Sequence, residues 1–303
     1  MTHYKIGKCI GKGSYGNVFL VKKYGEQKVY AMKKISIYNI RLKEKLQLIN
    51  EIRILKYCDC PYILNLVDIK SSLIHIDIIT NYAKYGDFLS IIKSRSRTRM
   101  FFQEQLIWSY FIQVCYGLEY LHNNNIIHRD IKCGNIFLDK GDHIFIGDFG
   151  SCKVLMHDNT LTNSSIGTPY YMSPEILKHE KYDNSVDIWC LGCFLFEMIC
   201  FKPPFDGYTY RLLTRKILNH QFSIDINTYT IHFSKDLINL VKKILKEYKQ
   251  LSATKILELK EVDDNKYLIP YTTKSSNNIL DFEKKFNNVS MSSWHSIIQK
   301  LTL

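Results

Sequence analysis

The 303-residue sequence contains no uninterrupted apolar stretch of about 18 residues, the length that a helix needs to cross a bilayer, so no membrane span is expected. Its opening residues, MTHYKIGKCIGKG, hold no apolar run of leader length, so no secretory leader is expected either. The nine cysteines lack metal-ligand spacing. Only Cys58/Cys60 and Cys190/Cys193 are close pairs, and neither has a second pair or a His cluster beside it. Cys190 and Cys193 lie in IWCLGCFLFEMIC, which reads as a buried helix, so small apolar packing is expected there rather than zinc or redox chemistry. A reduced intracellular protein is the expectation. Internal repeats are absent.

What is present is ordinary for a globular chain: 46% hydrophobic and 23% charged residues, and enough length for a sizeable core in one large domain or two coupled lobes. The formal net charge is +12. A Lys-rich surface explains it without a polyanionic partner, so neither a specific nucleic acid nor a membrane partner is expected. One basic run stands out, KSRSRTR at 93–99, read as a solvated loop after a short helix; a phosphate-reading role is the minority reading.

Residues 4–35 alternate apolar and polar side chains around a Gly-rich turn, which predicts a β-meander. Residues 41–57 place Leu42, Leu46, Ile49, Ile52 and Leu55 at helical spacing, predicting an amphipathic helix. Strand-like runs return over 63–82, and helices follow at about 104–122, 185–201, 209–219 and 234–246. The fold class is therefore α+β: a small β-rich N-lobe with one key helix over 1–83, a larger helical C-lobe over 84–258, a cleft between them, and a tail over 259–303.

Three motifs point at the cleft. Gly11, Gly13 and Gly16, followed by Val18, sit between two strands, where glycine lets backbone N–H groups close over phosphates. An ordinary hairpin turn explains the glycines equally well. Lys33, on the next strand after Ala31 and Met32, is expected to face the same side as Val29 and Ala31. Glu51 in the following helix is the carboxylate placed to orient it; Glu44 falls more than a turn too early. The third motif is HRDIKCGNIFLDKGDHIFIGDFG at 128–150, with Asp130, Lys132, Asn135 and Asp148. Phosphoryl transfer needs little covalent chemistry from a protein; it needs a held cation, a clamp on the phosphates and a placed acceptor. Asn135 and Asp148 offer the hard oxygen ligands that Mg²⁺ takes. Asp130 is left for the hydrogen bond of the acceptor hydroxyl, and Lys132 steadies the transferring phosphate.

On GKGSYGNV, AMK, Glu51, HRDIKCGN, GDFG, SPE at 173–175 and DIWCLGC at 187–193, residues 4–258 resemble the eukaryotic protein kinases. HRDIK-x-x-NIFL, GDFG, the His-Asp of the activation segment and above all GTPYYMSPE resemble the NIMA-related serine/threonine kinases. The resemblance implies a two-lobed phosphotransferase using ATP and Mg²⁺, with Mn²⁺ as a substitute cation, acting on protein substrates. It implies that Ile10, Val18 and Ala31 frame the adenine, that Phe137 forms its floor, and that Thr80 stands ahead of hinge residues Asn81, Tyr82 and Ala83. It implies that Thr168 bonds Asp130 and Lys132. Ser164 aligns with the family's activating phosphosite, with Thr160, Thr162 and Ser165 as further candidates, Arg129 as the phosphate's partner and an upstream kinase as the activator. Tyr15 reads as an aromatic cap on the phosphates. A cytoplasmic protein, with nuclear or cytoskeletal association, and a role in cell division or microtubule organisation are further expectations.

The chain departs from the family pattern at the hinge, where Asn81 replaces the commoner acidic residue with little effect because adenine is recognised by backbone groups, and at one ion pair of the C-lobe; the tail lies outside the match. The glutamate of SPE, Glu175, normally pairs with an Arg in an RPS motif; here that place reads Gln250-Leu251-Ser252, so either Lys249 or Lys255 substitutes or the C-lobe is softened. The tail reads EVDDNK and TTKSSNN as linker. Beyond them, Ile279, Phe282, Phe286 and Val289, then Trp294, Ile297, Ile298 and Leu301, form two short amphipathic segments, too interrupted for the long coiled coil by which NIMA-related kinases dimerise. An active serine/threonine kinase is the leading expectation. A kinase-fold scaffold with vestigial turnover, and a serine/threonine kinase of another subfamily, are the alternatives.

Overall fold

The computed structural model describes residues 4–13, 16–38, 40–154 and 169–270. The N-lobe begins with strands β1 (Tyr4–Gly13), β2 (Gly16–Lys23) and β3 (Val29–Ser36), then helix α1 (Leu42–Tyr57), then β4 (Leu66–Ser71) and β5 (His75–Asn81). These strands form one antiparallel sheet in the order β1-β2-β3-β5-β4. One sheet face buries Val21, Tyr30, Met32 and Ile79. Ile35, Ile76 and Ile78 join the main core together with α1.

The α1 helix occupies the span read from the sequence, but its buried stripe differs. Leu42 and Leu46 are 69% and 52% exposed, and burial starts at Leu48 and runs through Ile49, Ile52, Ile54 and Leu55. Only the later turns meet core residues, so the apolar periodicity of the first turns has nothing to pack on. The Glu44 carboxylate accepts the backbone N–H of Arg41 at 3.0 Å, which caps the helix start.

The C-lobe continues with the short strand β6 (Gly86–Asp87), α2 (Phe88–Thr98) and α3 (Glu104–Asn123). Short strands β7 (Ile126–Ile127), β8 (Ile136–Leu138), β9 (Ile144–Ile146) and β10 (Lys153–Val154) follow. They pair as β6-β8-β9 and β10-β7. Helices α4 (Pro174–Leu177), α5 (Ser185–Cys200), α6 (Tyr210–Leu218), α7 (Lys235–Glu247), α8 (Ala253–Leu257) and α9 (Lys260–Asp263) complete the described chain. Every residue of α5 is buried, as a helix that is apolar all round must be. Trp189 of α5 stacks on Phe205 and meets Tyr248 edge-on.

All nine cysteines are free, and all but Cys9 and Cys60 are buried. Burial pushes the thiols of Cys133, Cys190 and Cys193 well above their ordinary range, so they pack as small apolar groups, as read for the α5 pair.

Two readings are corrected. The basic run at 93–99 is no loop: Lys93 to Thr98 complete α2, and Arg99 caps it in the left-handed conformation. Asp87 caps the other end, accepting the Ser90 N–H at 2.8 Å, and buried Phe88 and Ile92 seat the helix. The segment EVDDNK is no linker: its first three residues belong to α9, whose Val262 is fully buried. The amphipathic segments from Ile279 onward lie outside the described residues.

Glu175 does find substitutes for the missing arginine: a hydroxyl that the sequence reading did not name, and one of the two expected lysines, Lys249, at the outer limit of an ion pair. The Tyr248 hydroxyl donates to Glu175 Oε2 at 2.6 Å, inside the core. Lys249 approaches the same oxygen only at 3.9 Å from an exposed position, and Lys255 donates instead to the Gln250 carbonyl. Burial and the Glu175 carboxylate hold the Tyr248 phenol well above its ordinary range, so the tyrosine remains a donor. Glu175 Oε1 has no hydrogen-bond partner among the described residues. Tyr248→Phe therefore strips a buried carboxylate of its donor and should lower stability by about 1.5–3 kcal/mol. Chemical denaturation should show the loss, with Glu175→Gln in the Tyr248→Phe background recovering part of it. An unchanged midpoint in Tyr248→Phe would show that the contact carries no weight.

Candidate functional site

The strand register puts the N-lobe residues in place. Val18 pairs with Lys33 and Lys33 with Ile78; Leu20 pairs with Ala31 and Ala31 with Thr80. Paired residues share a sheet face, and residues two apart along a strand do too. Val18, Ala31, Lys33 and Thr80 therefore lie on one face, as expected for Lys33, while Tyr30 and Met32 lie on the other. Ile10 is exposed on β1, and Gly11 pairs with Val18. A Cβ on Gly16 would stand 1.9 Å from the Lys34 carbonyl oxygen. That glycine is required by the approach of β2 to β3, whatever else the turn does. Gly13 pairs with Gly16 at the hairpin end; Tyr15 lies outside the described residues. At the lobe junction the Asn81 N–H donates to Asn65 O, Ala83 is buried and Tyr82 half-buried.

Lys33 Nζ donates to Glu51 Oε1 at 2.7 Å. Glu51 is buried on α1 while Lys33 is 22% exposed. The pair couples β3 to α1 and leaves the ammonium facing the cleft.

The loop after β7 hangs on one carboxylate. Asp187, fully buried in the first turn of α5, accepts the backbone N–H groups of His128 and Arg129, each at 2.8 Å. The ring Nε2 of His122, from α3, lies 2.9 Å from the same carboxylate. Burial alone would raise the Asp187 pKa, but the bonds and charge of His122 and His128 outweigh it and hold it below the ordinary value. His128 is also buried; its Nε2 reaches the Gly147 carbonyl at 3.1 Å, and its ring meets Phe149 edge-on.

This anchoring aims Asp130. Its Oδ2 accepts from Lys132 Nζ at 2.6 Å and from Asn135 Nδ2 at 2.9 Å. Asn135 Nδ2 also donates to the Asp130 carbonyl at 2.7 Å. With its amide nitrogen spent on Asp130, Asn135 has its oxygen left for a cation.

Asp148 sits at φ 59°, ψ 74°, a conformation that a non-glycine residue holds only under constraint. The constraint is visible on both sides. Gly147 packs on the Phe137 ring so closely that a Cβ there would lie 2.8 Å from it. Phe149 is fully buried. Arg129 closes the far side, donating from Nε to Ser151 O at 2.6 Å and from Nη2 to Cys152 O at 3.3 Å. A Cβ on Gly150 would stand 3.5 Å from Asp148 Oδ1 and 3.7 Å from Glu51 Oε2, so both carboxylates border this glycine.

Asp148 and the Asn135 oxygen fit Mg²⁺, which takes few protein ligands and completes its octahedron with water and substrate phosphates. Among the described residues no group of three or more His, Cys, Asp or Glu could hold a metal on its own. The donor set suits a cation that arrives with a phosphate ligand and does not suit a closed structural site.

The structure thus joins Lys33 to Glu51, and Asp130 to Lys132 and Asn135; Gly147, whose N–H donates to the Asn135 carbonyl, and Gly150, bordered by Asp148 and Glu51, link the two groups, while Val18, Ala31 and Thr80 share the sheet face of Lys33 and Phe137 lies against Gly147. Thr160, Thr162, Ser164, Ser165 and Thr168 lie outside the described residues. Sequence reasoning assigned no role to Asp187, His122, His128 or Gly147. The Asp at the head of the apolar run DIWCLGC was a usable signal, because a charge on a helix that is otherwise buried must be paired.

The sequence matches the protein kinase domain over residues 4–262. It is 37% identical over 286 residues to the probable serine/threonine-protein kinase nek3 of Dictyostelium discoideum, covering 91% of this chain and 25% of that protein. It is 38% identical over 221 residues to the serine/threonine-protein kinase Nek3 of Oryza sativa subsp. japonica, covering 72% and 37%. It is 32% identical over 275 residues to the G2-specific protein kinase fin1 of Schizosaccharomyces pombe, covering 84% and 38%. The chain spans between 25% and 38% of the length of these three relatives.

Asp187→Asn should cost about 2–4 kcal/mol, since one backbone N–H then faces a neutral or donor group in the core. Asp187 has a depressed folded pKa, so its charge stabilises the fold above its unfolded value of about 3.9 and stops doing so as pH falls through the lower folded value. Urea denaturation should show the full gap between wild type and Asp187→Asn at pH 7 and pH 5, closing only below about pH 4. A gap that closes at pH 5 would contradict the assignment.

Proposed function

The chain belongs to the protein kinase family, and we propose that it transfers the γ-phosphoryl group of ATP, carried with Mg²⁺, to serine and threonine hydroxyls of proteins, in the manner of the NIMA-related kinases. The observation that carries this is the Asp130 carboxylate, held between Lys132 and Asn135 on a loop fixed by Asp187. Such a carboxylate orients an acceptor hydroxyl and takes its hydrogen bond, while the ammonium beside it offsets negative charge on the phosphoryl oxygens. Lys33, oriented by Glu51, anchors the nucleotide's phosphates. Val18, Ala31 and Phe137 supply apolar surface for a purine. Asn135 and Asp148 hold the divalent cation, which when bound offsets the charge of the transferring phosphate; Mg²⁺ is the proposed ion and Mn²⁺ a substitute.

The serine/threonine assignment rests on Lys132, on the segment at 167–171 and on the likeness to serine/threonine-protein kinases of other organisms. Regulation by phosphorylation at Ser164, with Thr160, Thr162 and Ser165 as further acceptors, belongs to the same proposal, as do an upstream kinase and a cytoplasmic location with nuclear or cytoskeletal association. A role in cell division follows from the likeness to fin1; depletion that leaves division timing unchanged would count against it. The scaffold reading leaned on Gln250 and the short tail; the Tyr248 bond to Glu175 weakens the first of these, and the tail lies outside the described residues.

Purified chain with γ-labelled ATP should phosphorylate serine and threonine peptides but not tyrosine peptides, and excess EDTA should stop it. Asp130→Asn should lower kcat by about 10²–10⁴-fold, and Asp148→Ala should abolish transfer. Full turnover by Asp148→Ala would refute the metal assignment, and transfer to tyrosine would refute the substrate class. Glu51→Gln should reduce kcat/KM by about tenfold or more, through loss of a charged partner for Lys33. An unaltered kcat/KM in that variant would sink the clamp.

A further inference from the structure

Helix α2 flanks the catalytic loop. Leu89 Cδ2 lies 3.9 Å from where a Cβ on Gly134 would stand, and Lys132 Cε lies 3.8 Å from the same point. Residues four apart share a helix face, so Lys93 and then Arg97 continue the line that Leu89 begins. Both are exposed, and so is Arg99 at the helix end. Arg95 is spent elsewhere: its guanidinium donates to Phe101 O and covers the Phe102 ring at 4.2 Å. The run at 93–99 is thereby sorted by structure into one packing arginine and an outward cationic ridge.

The carboxylates near this ridge are already committed. Glu197 of α5 is buried and bound by the Tyr171 hydroxyl, and Lys93 lies within electrostatic reach of it. The two oxygens of Asp87 take the backbone N–H and the hydroxyl of Ser90. Among the described residues of α2 from Lys93 onward, the exposed charge is therefore positive.

We propose that the ridge Lys93–Arg97 reads acidic side chains on one flank of the substrate peptide, favouring serine and threonine sites embedded in acidic sequence. The inference rests on the transferase reading above. Lys93 and Arg97 are about 6 Å apart along the helix, which matches about two residues of an extended peptide at about 3.3 Å each. Acidic residues two positions apart should be read best. The ridge begins one turn beyond Leu89, so the acidic pair lies several residues from the acceptor.

The test uses serine peptides that carry an acidic pair, a neutral pair or a basic pair, stepped along both flanks. Wild type should show kcat/KM about five- to tenfold higher for the best acidic peptide than for the neutral one, the size two exposed ion pairs supply. The ratio should fall toward one in Lys93→Glu/Arg97→Glu, which should favour the basic peptide, and also at about 1 M salt, where screening reaches about 3 Å. Fluorescence anisotropy of the same peptides with alanine at the acceptor reads the preference without transfer. Tighter binding of the acidic peptide supports the ridge even if the transferase reading fails. Equal kcat/KM and equal affinity for acidic and neutral peptides, or a ratio that survives the charge reversal, would overturn the inference while leaving phosphoryl transfer to the neutral peptide intact.

Discussion

The structure depends on one buried negative charge. Asp187 is itself fully buried on a helix with no exposed residue, and a lone carboxylate there would be too costly to keep. Two backbone amides and the His122 ring make it affordable, and in doing so they fix the start of the catalytic loop. Because the donors are main-chain groups, the bond specifies the path of the chain and not only the pose of a side chain. Arg129 takes φ 67° there, a strained turn that the charged bonds hold in place.

From that anchor the site is assembled by side chains that each restrain a neighbour. Arg129 turns from the loop to grip the carbonyls of Ser151 and Cys152. That grip, the buried Phe149 ring and the close fit of Gly147 on Phe137 hold Asp148 in its left-handed conformation. Glu51 arrives from the other lobe, bordering Gly150 and bonded to Lys33. The reacting groups thus come from β3, α1, the loop after β7 and the turn after β9.

The C-lobe also shows how one anchor can be exchanged for another. A buried glutamate needs a donor more than it needs a positive charge. Tyr248 provides that donor from the end of α7, and its ring packs against Trp189 at the same time. A phenol is easier to desolvate than a guanidinium, and this explains how Gln250 is tolerated. The ridge on α2 illustrates the converse: cations at an exposed helix face cost nothing to hold in water, so their placement is free to serve recognition.

Much of the site was legible from residue order, because its groups lie in short segments with fixed offsets. Asp130, Lys132 and Asn135 sit on one loop, and β-pairing places Val18, Ala31 and Lys33 on one face by alternation alone. The elements were legible for the same reason: apolar period reports local conformation. What the sequence by itself determined is the set of chemical groups, the β-rich lobe followed by helices, and the pairing of Lys33 with Glu51. Only the tertiary structure decided which side of α1 is buried, that the basic run completes a helix, that Tyr248 replaces the arginine, and that Asp187 carries the catalytic loop. Each of these is a contact between segments distant in sequence or a choice of face, and periodicity names a stripe without saying what will cover it.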